Sequence, residues 1–190
     1  FETLNTIFHG TTFDEKYRLN YQKSENVNNV EKIKNNIIRE SLKYLNINEP
    51  LYISTIADIP AMSGLGSSSS FTVGLLKGLF ALKNQKVSKK KLAELACKIE
   101  VDILRSPIGK QDQYAAVYGG INRFIFKKKN VTVEALQKKI NPNLFFENLQ
   151  LFFTGIYRSS YKVLSSINLN SKNQDSIRNI VKKSEKAYKI

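Results

Sequence analysis

The sequence holds one cysteine, Cys97, one histidine, His9, and no tryptophan. A single thiol excludes an internal disulfide framework, and one thiol with one imidazole cannot build a Cys/His zinc cluster. A serine–histidine hydrolase would have to rely on His9, which stands among polar, loop-like residues, so that chemistry has little support. Acidic residues are scarce: 16 Asp and Glu face 30 Lys and Arg, a formal net charge of +14. No apolar run approaches the roughly 20 residues a membrane span requires; the most apolar stretch, Phe71 to Leu82, is interrupted by Lys77. The start, Phe1-Glu2-Thr3-Leu4, carries neither an initiator Met nor the basic-then-apolar pattern of a signal peptide. It reads as an interior starting point, which predicts a fragment of a cytoplasmic protein with no membrane partner.

What is present suffices for a packed core. The 190 residues are 42% hydrophobic and 11% aromatic, which predicts one ordinary domain or one domain plus part of a second. The positive charge has two readings. A nucleic-acid surface needs Lys and Arg gathered on one face, with aromatics between them. Here the lysines are spread along the chain, and the densest groups, Lys89 to Lys91 and Lys127 to Lys129, fall at an expected helix start and hairpin tip. A solvated lysine-rich surface is favoured and no nucleic-acid partner is expected, although small anions would be attracted.

Periodicity divides the chain into helices and strands. Ile33, Ile37, Ile38, Leu42 and Leu45 predict a helix over Val30 to Leu45, with Asn28 or Asn29 as its cap. Leu51 to Ala57 alternates as a strand does. Phe71, Leu75, Leu76, Leu79 and Leu82 form a helical stripe, and Ser88 caps a further helix carrying Leu92, Leu95, Ala96, Ile99 and Ile103. Gln111 to Tyr118 is expected to be helical and closed by Gly119-Gly120. Ile121 to Lys127 and Asn130 to Glu134 form a hairpin, Leu149 to Thr154 another strand, and the tail from Asn173 a polar helix. This mixed order predicts an α+β fold.

The segment Pro60-Ala61-Met62-Ser63-Gly64-Leu65-Gly66-Ser67-Ser68-Ser69-Ser70 lies between a strand and an amphipathic helix. Gly64 and Gly66 permit positive φ and close backbone approach. The serines then occupy the cap and first turn, where unpaired N–H groups and the positive end of the helix dipole point outward. Serine hydroxyls add phosphate donors and a neutral oxygen ligand for Mg²⁺. A polyphosphate suits such a site, although a plain glycine–serine helix cap is the alternative for any bare Gly-x-Gly. The lysine of a Walker A loop is absent, and Lys77 comes a turn or more too late.

The fuller string, Pro60, Gly64, Leu65, Gly66, Ser67 and Ser68, resembles the phosphate loop of the GHMP kinases, Pro-x-x-x-Gly-Leu-Gly-Ser-Ser. That resemblance implies an N-terminal domain like domain 2 of ribosomal protein S5, followed by the start of a ferredoxin-like domain. The division falls at residues 1–155 and 156–190. It implies ATP held by Pro60, Gly64, Leu65, Gly66, Ser67, Ser68 and Ser69, and Mg²⁺ held by Ser68. The family's metal-binding glutamate lies on a helix some thirty residues after this loop, which points to Glu100; taken alone, Glu100 reads rather as an ordinary solvated helix residue. Gly109-Lys110-Gln111-Asp112-Gln113-Tyr114 ahead of Gly119-Gly120 resembles the segment carrying the family's catalytic aspartate, here Asp112. An ionised Asp112 would accept or orient the proton of a sugar hydroxyl, while an N-cap role is the alternative. Gln111 is expected to contact substrate.

Ala57 to Leu82, Gly109 to Gly120 and Phe152-Phe153-Thr154-Gly155-Ile156-Tyr157-Arg158-Ser159-Ser160 together resemble the bacterial D-glycero-D-manno-heptose 7-phosphate kinases. These act on the anomeric hydroxyl of a sugar phosphate on the route to GDP-activated heptose. Arg158 would then meet the phosphate already on the substrate, unless it is a surface arginine at a helix start. Another GHMP kinase acting on a different alcohol, or a basic RNA-binding module of S5-like fold, are the competing assignments. The family's first and third motifs have no counterpart here, so residues 1–190 alone are expected to have little kinase activity.

Overall fold

The computed structural model describes residues 14–57, 64–128, 130–152, 155 and 171–188. Pro60 and Arg158 lie outside the described residues, as do His9 and Lys129. Strand β1 (Tyr17–Asn20) is central in a three-stranded sheet, antiparallel to β2 (Ser24–Val27) and parallel to β3 (Tyr52–Ser54). Backbone bonds from Arg18 N to Leu51 O (3.0 Å) and from Thr55 N to Asn20 O (2.8 Å) extend the parallel pairing by one residue at each end. Tyr17 and Leu19 point into the core, whereas Arg18 points out and pairs with Asp14 at 2.9 Å.

Helix α1 (Asn36–Tyr44) lies in the connection from β2 to β3, which stand on opposite sides of β1. The sequence predicted helix from Val30. Instead, Asn29 caps a single 3-10 turn, Val30–Lys32, and the chain then extends at Ile33 before Asn35 caps α1 through Ile38 N at 3.1 Å. The cause is tertiary: the Glu25 carboxylate on β2 accepts from Lys34 N (2.6 Å), Asn35 N (3.0 Å) and the Tyr21 hydroxyl (2.6 Å), which pins the chain ahead of the helix.

Helix α2 (Ser67–Leu82) is the central helix, packed by α1, by α3 (Lys89–Cys97) and by α4 (Gln111–Tyr118). It buries Val73, Leu75, Leu76, Leu79 and Phe80 against Leu19, Ile53, Ile38 and Leu42, while Lys77 stays exposed. Ser88 caps α3 as expected, accepting from Lys91 N at 3.2 Å. The expected α-helical run to Ile103 is not continuous: Lys98–Ile103 widens into a π turn, with Leu104 N bonded to Ile99 O at 2.9 Å. The wider turn keeps Ile99 and Glu100 buried and rotates Ile103 outward to 38% exposure.

The hairpin expected from the sequence is present as β4 (Asn122–Phe126) and β5 (Val131–Ala135). Its Phe124, Val131 and Val133 cover a second, smaller apolar cluster of Ala93, Cys97 and Tyr114. A short helix, α5 (Pro142–Glu147), capped by Asn141, has no counterpart in the sequence reading. The strand expected over Leu149 to Thr154 is not formed in its described part, residues 149–152. Leu149, Leu151 and Phe152 are 55%, 68% and 79% exposed, so no buried face is available to fix an extended register. The tail is helical as predicted, α6 (Ser171–Tyr188), and its end is held by the Tyr188 hydroxyl donating to Glu134 Oε1 at 2.6 Å. Helices on a mixed sheet with a separate hairpin make an α+β fold.

Candidate active site

The start of α2 has a glycine cap. Gly64 and Gly66 both take positive φ, +80° and +72°, and Gly66 stands at the N-cap position, where it offers no side chain to the first turn. The first helical bond runs from Ser70 N to Gly66 O at 3.0 Å, which leaves the amides of Ser67, Ser68 and Ser69 ahead of it. The left-handed glycines and the serines of the first turn are as the sequence predicted, but the cap itself is Gly66 and not a serine, because the left-handed backbone there already breaks the helix. Leu65 is 46% exposed at the loop's edge, and Ser67 is half-buried. Ser69 is buried, so its hydroxyl is withdrawn from the face on which Ser68 is exposed.

Two further elements converge there. Glu100, carried inward by the π turn, is 2% exposed rather than solvated, and the Ser68 hydroxyl donates to its Oε1 at 2.8 Å. The Gln113 amide of α4 donates to Glu100 Oε2 at 2.7 Å. Asp102, two residues on, is exposed and away from this group. Asp112 is not the cap of α4, a place taken by Lys110; it sits in the first turn with its carboxyl group against Gly66. A Cβ added at Gly66 would stand at ordinary contact distance, 3.5 Å, from Asp112 Cβ, Cγ and Oδ2, which places the carboxyl beside the glycine–serine loop.

A cavity of about 510 Å³ opens on the other side of the α4 start, between that helix and the hairpin tip. Gln111 and Lys110 line it together with Tyr114, Phe126, Lys127 and Lys128. Gln111 is thus placed beside the Ser68–Glu100–Asp112 group rather than within it, and none of the described residues of the glycine–serine loop lines the cavity. Tyr114 forms its floor, edge-on to Phe126 with ring centroids 6.0 Å apart, and burial pushes the Tyr114 hydroxyl up to about 12.

The donor set suits a magnesium ion. Among the described residues no three His, Cys, Asp or Glu gather to form an all-protein metal cage. Mg²⁺ does not ask for one: it is characteristically held by one or two carboxylates while phosphate oxygens and water complete its shell. One carboxylate, Glu100, beside one hydroxyl, Ser68, at the glycine-capped start of α2 meets that requirement. Gln113 and Thr72 went unrecognised as site residues. Thr72 is buried and its hydroxyl donates to Ser68 O at 3.0 Å, bracing the first turn. For Gln113 the signal was its place beside Tyr114 and one turn before Val117, on the inner stripe of α4.

Known proteins resemble this chain over the segment that holds these residues. Residues 28–120, which include Gly64 to Ser69, Glu100, Asp112 and Gln113, match the family described as GHMP kinases N terminal domain. The chain is 36% identical over 135 residues to the D-glycero-alpha-D-manno-heptose 7-phosphate kinase of Campylobacter jejuni, covering 67% of this chain and 38% of that enzyme. It is 36% identical over 101 residues to the galactokinase of Pyrococcus furiosus, covering 53% of this chain and 28% of that one. A crystal structure of a D-glycero-D-manno-heptose 1-phosphate kinase from Bacteroides thetaiotaomicron superposes with a TM-score of 0.61 at 26% identity, over 67% of this chain and 46% of that one. The chain therefore spans well under half the length of these two curated relatives, both of them kinases by name. With the phosphate-loop string, the buried glutamate and the loop-facing aspartate all inside the matched segment, residues 28–120 belong to the GHMP kinase N-terminal domain family.

Proposed function

We propose that this chain is the nucleotide-binding part of an ATP-dependent sugar kinase that phosphorylates the anomeric hydroxyl of D-glycero-D-manno-heptose 7-phosphate. One observation carries the reading: Ser68, Glu100 and Asp112, from three separate elements, meet at the glycine-capped start of α2. The amides of that turn that precede the first helical bond, with Gly64, Leu65, Gly66 and Ser67, would cradle the ATP phosphates. Ser68 and Glu100 would hold the magnesium ion, which when bound offsets charge on the transferring phosphoryl group. Asp112 would orient the sugar hydroxyl and take its proton as the hydroxyl oxygen bonds to the γ-phosphorus and the bond to the β-phosphate oxygen breaks, releasing ADP.

The heptose assignment is supported by the names of two relatives, both heptose phosphate kinases, and by the basic cavity beside α4. Lys110, Lys127 and Lys128 would attract the phosphate already on such a substrate, a role that Arg158 shares in this proposal. The same reading takes residues 1–155 as the N-terminal domain and 156–190 as the start of the next, in a cytoplasmic enzyme that binds neither nucleic acid nor membrane. The likeness to galactokinase supports a second candidate acceptor, an unphosphorylated hexose. The test has two stages. Mg-ATP should raise the melting temperature, with no salt-dependent RNA binding; absence of protection refutes the kinase reading. ADP release across a panel of sugars and sugar phosphates, assayed on the complete parent protein, then selects the acceptor. Turnover with galactose in preference to heptose 7-phosphate would overturn the heptose assignment.

A further inference from the structure

Gln113 is fully buried, yet only one of the two polar atoms of its side chain has a hydrogen-bond partner among the described residues. Its amide nitrogen donates to Glu100 Oε2 at 2.7 Å, and its amide oxygen meets no donor among the described residues. A buried amide left in that condition is costly, and a methionine would fill nearly the same volume without an orphaned oxygen. Packing therefore does not account for the glutamine. Its one protein hydrogen bond through the side chain does.

That bond has a specific consequence for Glu100. A glutamate side chain ends in a broad, nearly free rotation of its carboxyl group. Here donors from two different helices grip the two oxygens: Ser68 of α2 on Oε1 at 2.8 Å and Gln113 of α4 on Oε2. The donors differ in kind. The amide N–H is fixed in direction and neutral, so it orients the carboxylate without cancelling its charge, as a lysine or arginine would. The hydroxyl can rotate its proton away and offer a lone pair instead. One oxygen is thus anchored for good, and the other faces a group able to change from donor to ligand.

We propose that Gln113 is a positioning residue that anchors Glu100 Oε2 so that Glu100 Oε1 and the Ser68 hydroxyl stand ready as a donor pair for the divalent cation accompanying a nucleotide. The inference rests on the kinase reading above and adds Gln113 to it. It also links the two halves of the chemistry, because Gln113 follows Asp112 directly on α4. Moving Gln113 away from Glu100 displaces the residue facing Gly66 as well.

The test measures binding rather than turnover. Calorimetric titration of the full chain with a non-hydrolysable ATP analogue, in Mg²⁺ and separately in EDTA, gives the ratio by which the metal tightens nucleotide binding. Wild type should show a ratio well above one. Gln113→Met, which keeps the volume and cannot donate, should leave the EDTA affinity within about twofold and lower the ratio about tenfold or more, the usual scale for losing a ligand's hydrogen-bond support. Gln113→Asn, which keeps the amide but shortens its reach, should do the same and serves if the methionine variant fails to fold. Leu79→Ala, a core truncation on α2, should lower the melting temperature without moving the ratio. Folded Gln113 variants with the wild-type ratio overturn the inference and leave the kinase reading intact. Wild type that binds no nucleotide, or binds it equally in Mg²⁺ and EDTA, overturns both.

Discussion

The contact between Ser68 and Glu100 can be weighed directly, without any assay of catalysis. Ser68→Ala removes a hydroxyl that donates at 2.8 Å to a carboxylate only 2% exposed. Hydrogen bonds to charged groups contribute about 1.5–3 kcal/mol. Ser68 itself is exposed, so water can partly replace it, and the lower end, about 1–2 kcal/mol, is expected. For a chain of this size each kcal/mol lowers the melting temperature by about 2–4 °C, so Ser68→Ala should fall by about 2–8 °C. Because a single substitution also disturbs the first turn of α2, the decisive measurement is a double-mutant cycle with Glu100→Gln. Urea unfolding of the four proteins at 25 °C, followed by two probes with coincident transitions, should give a coupling of about 1 kcal/mol or more. A glutamine at position 100 still bonds to serine, so that figure is a lower bound. Additivity within about 0.3 kcal/mol would mean that hydroxyl and carboxylate do not meet, and the metal assignment would lose its basis.

Other expectations follow from the same geometry. Asp112→Asn should leave nucleotide affinity within about twofold and reduce turnover of the parent enzyme by about 10²–10⁴; unchanged turnover would clear Asp112 of the proton-handling role. Gly64→Ala and Gly66→Ala each force a left-handed alanine and should each cost about 1–2 kcal/mol in unfolding experiments. At Gly66 the added methyl would sit in ordinary contact with the Asp112 carboxyl, 3.5 Å away, and at Gly64 it would meet nothing within 4 Å, so the two losses should be alike and set by the backbone; a much larger loss at one position would refute this. Burial pushes the Cys97 thiol up to about 11 from an ordinary 9.0. Alkylation of the native protein at pH 8.5 should therefore be at least about a hundredfold slower than in urea, as read by mass spectrometry. Since the unfolded thiol ionises first, Cys97 should also make stability decline as pH rises from about 9 to about 11; Cys97→Ala should remove that part of the decline.

What the sequence made legible was local. Helices α2, α3 and α4 begin at residues that enforce a start, Gly66 after a second left-handed glycine, Ser88 as a side-chain cap and Gln111 after Gly109, and the hairpin follows the Gly119-Gly120 pair. What escaped was set by distant partners. Helix α1 starts late because Glu25, ten residues away on β2, holds Asn35 N. Strands β1 and β2 are only four residues each, too short for an alternating pattern to stand out from loops. In the site, the loop, Glu100 and Asp112 were legible because a long string of residues carried a family pattern. The burial of Glu100 was not, since it depends on a π turn that leaves no local signature. Nor was Gln113, whose role exists only once α4 lies against that turn.

The π turn also imposes a rule on chain length. A regular helix turns about 100° per residue, and a π turn is in effect one residue too many for the α-helical register. Deleting any one residue between Lys98 and Ile103 would let the segment relax into plain α-helix, shifting the downstream phase and swinging the carboxylate off Ser68. The hairpin tip around Lys127 and Lys128, by contrast, can gain or lose residues in solvent with no such penalty. Indels should therefore accumulate at the tip and be purged from 98–103, an asymmetry that random deletion libraries screened for folding and nucleotide binding would reveal.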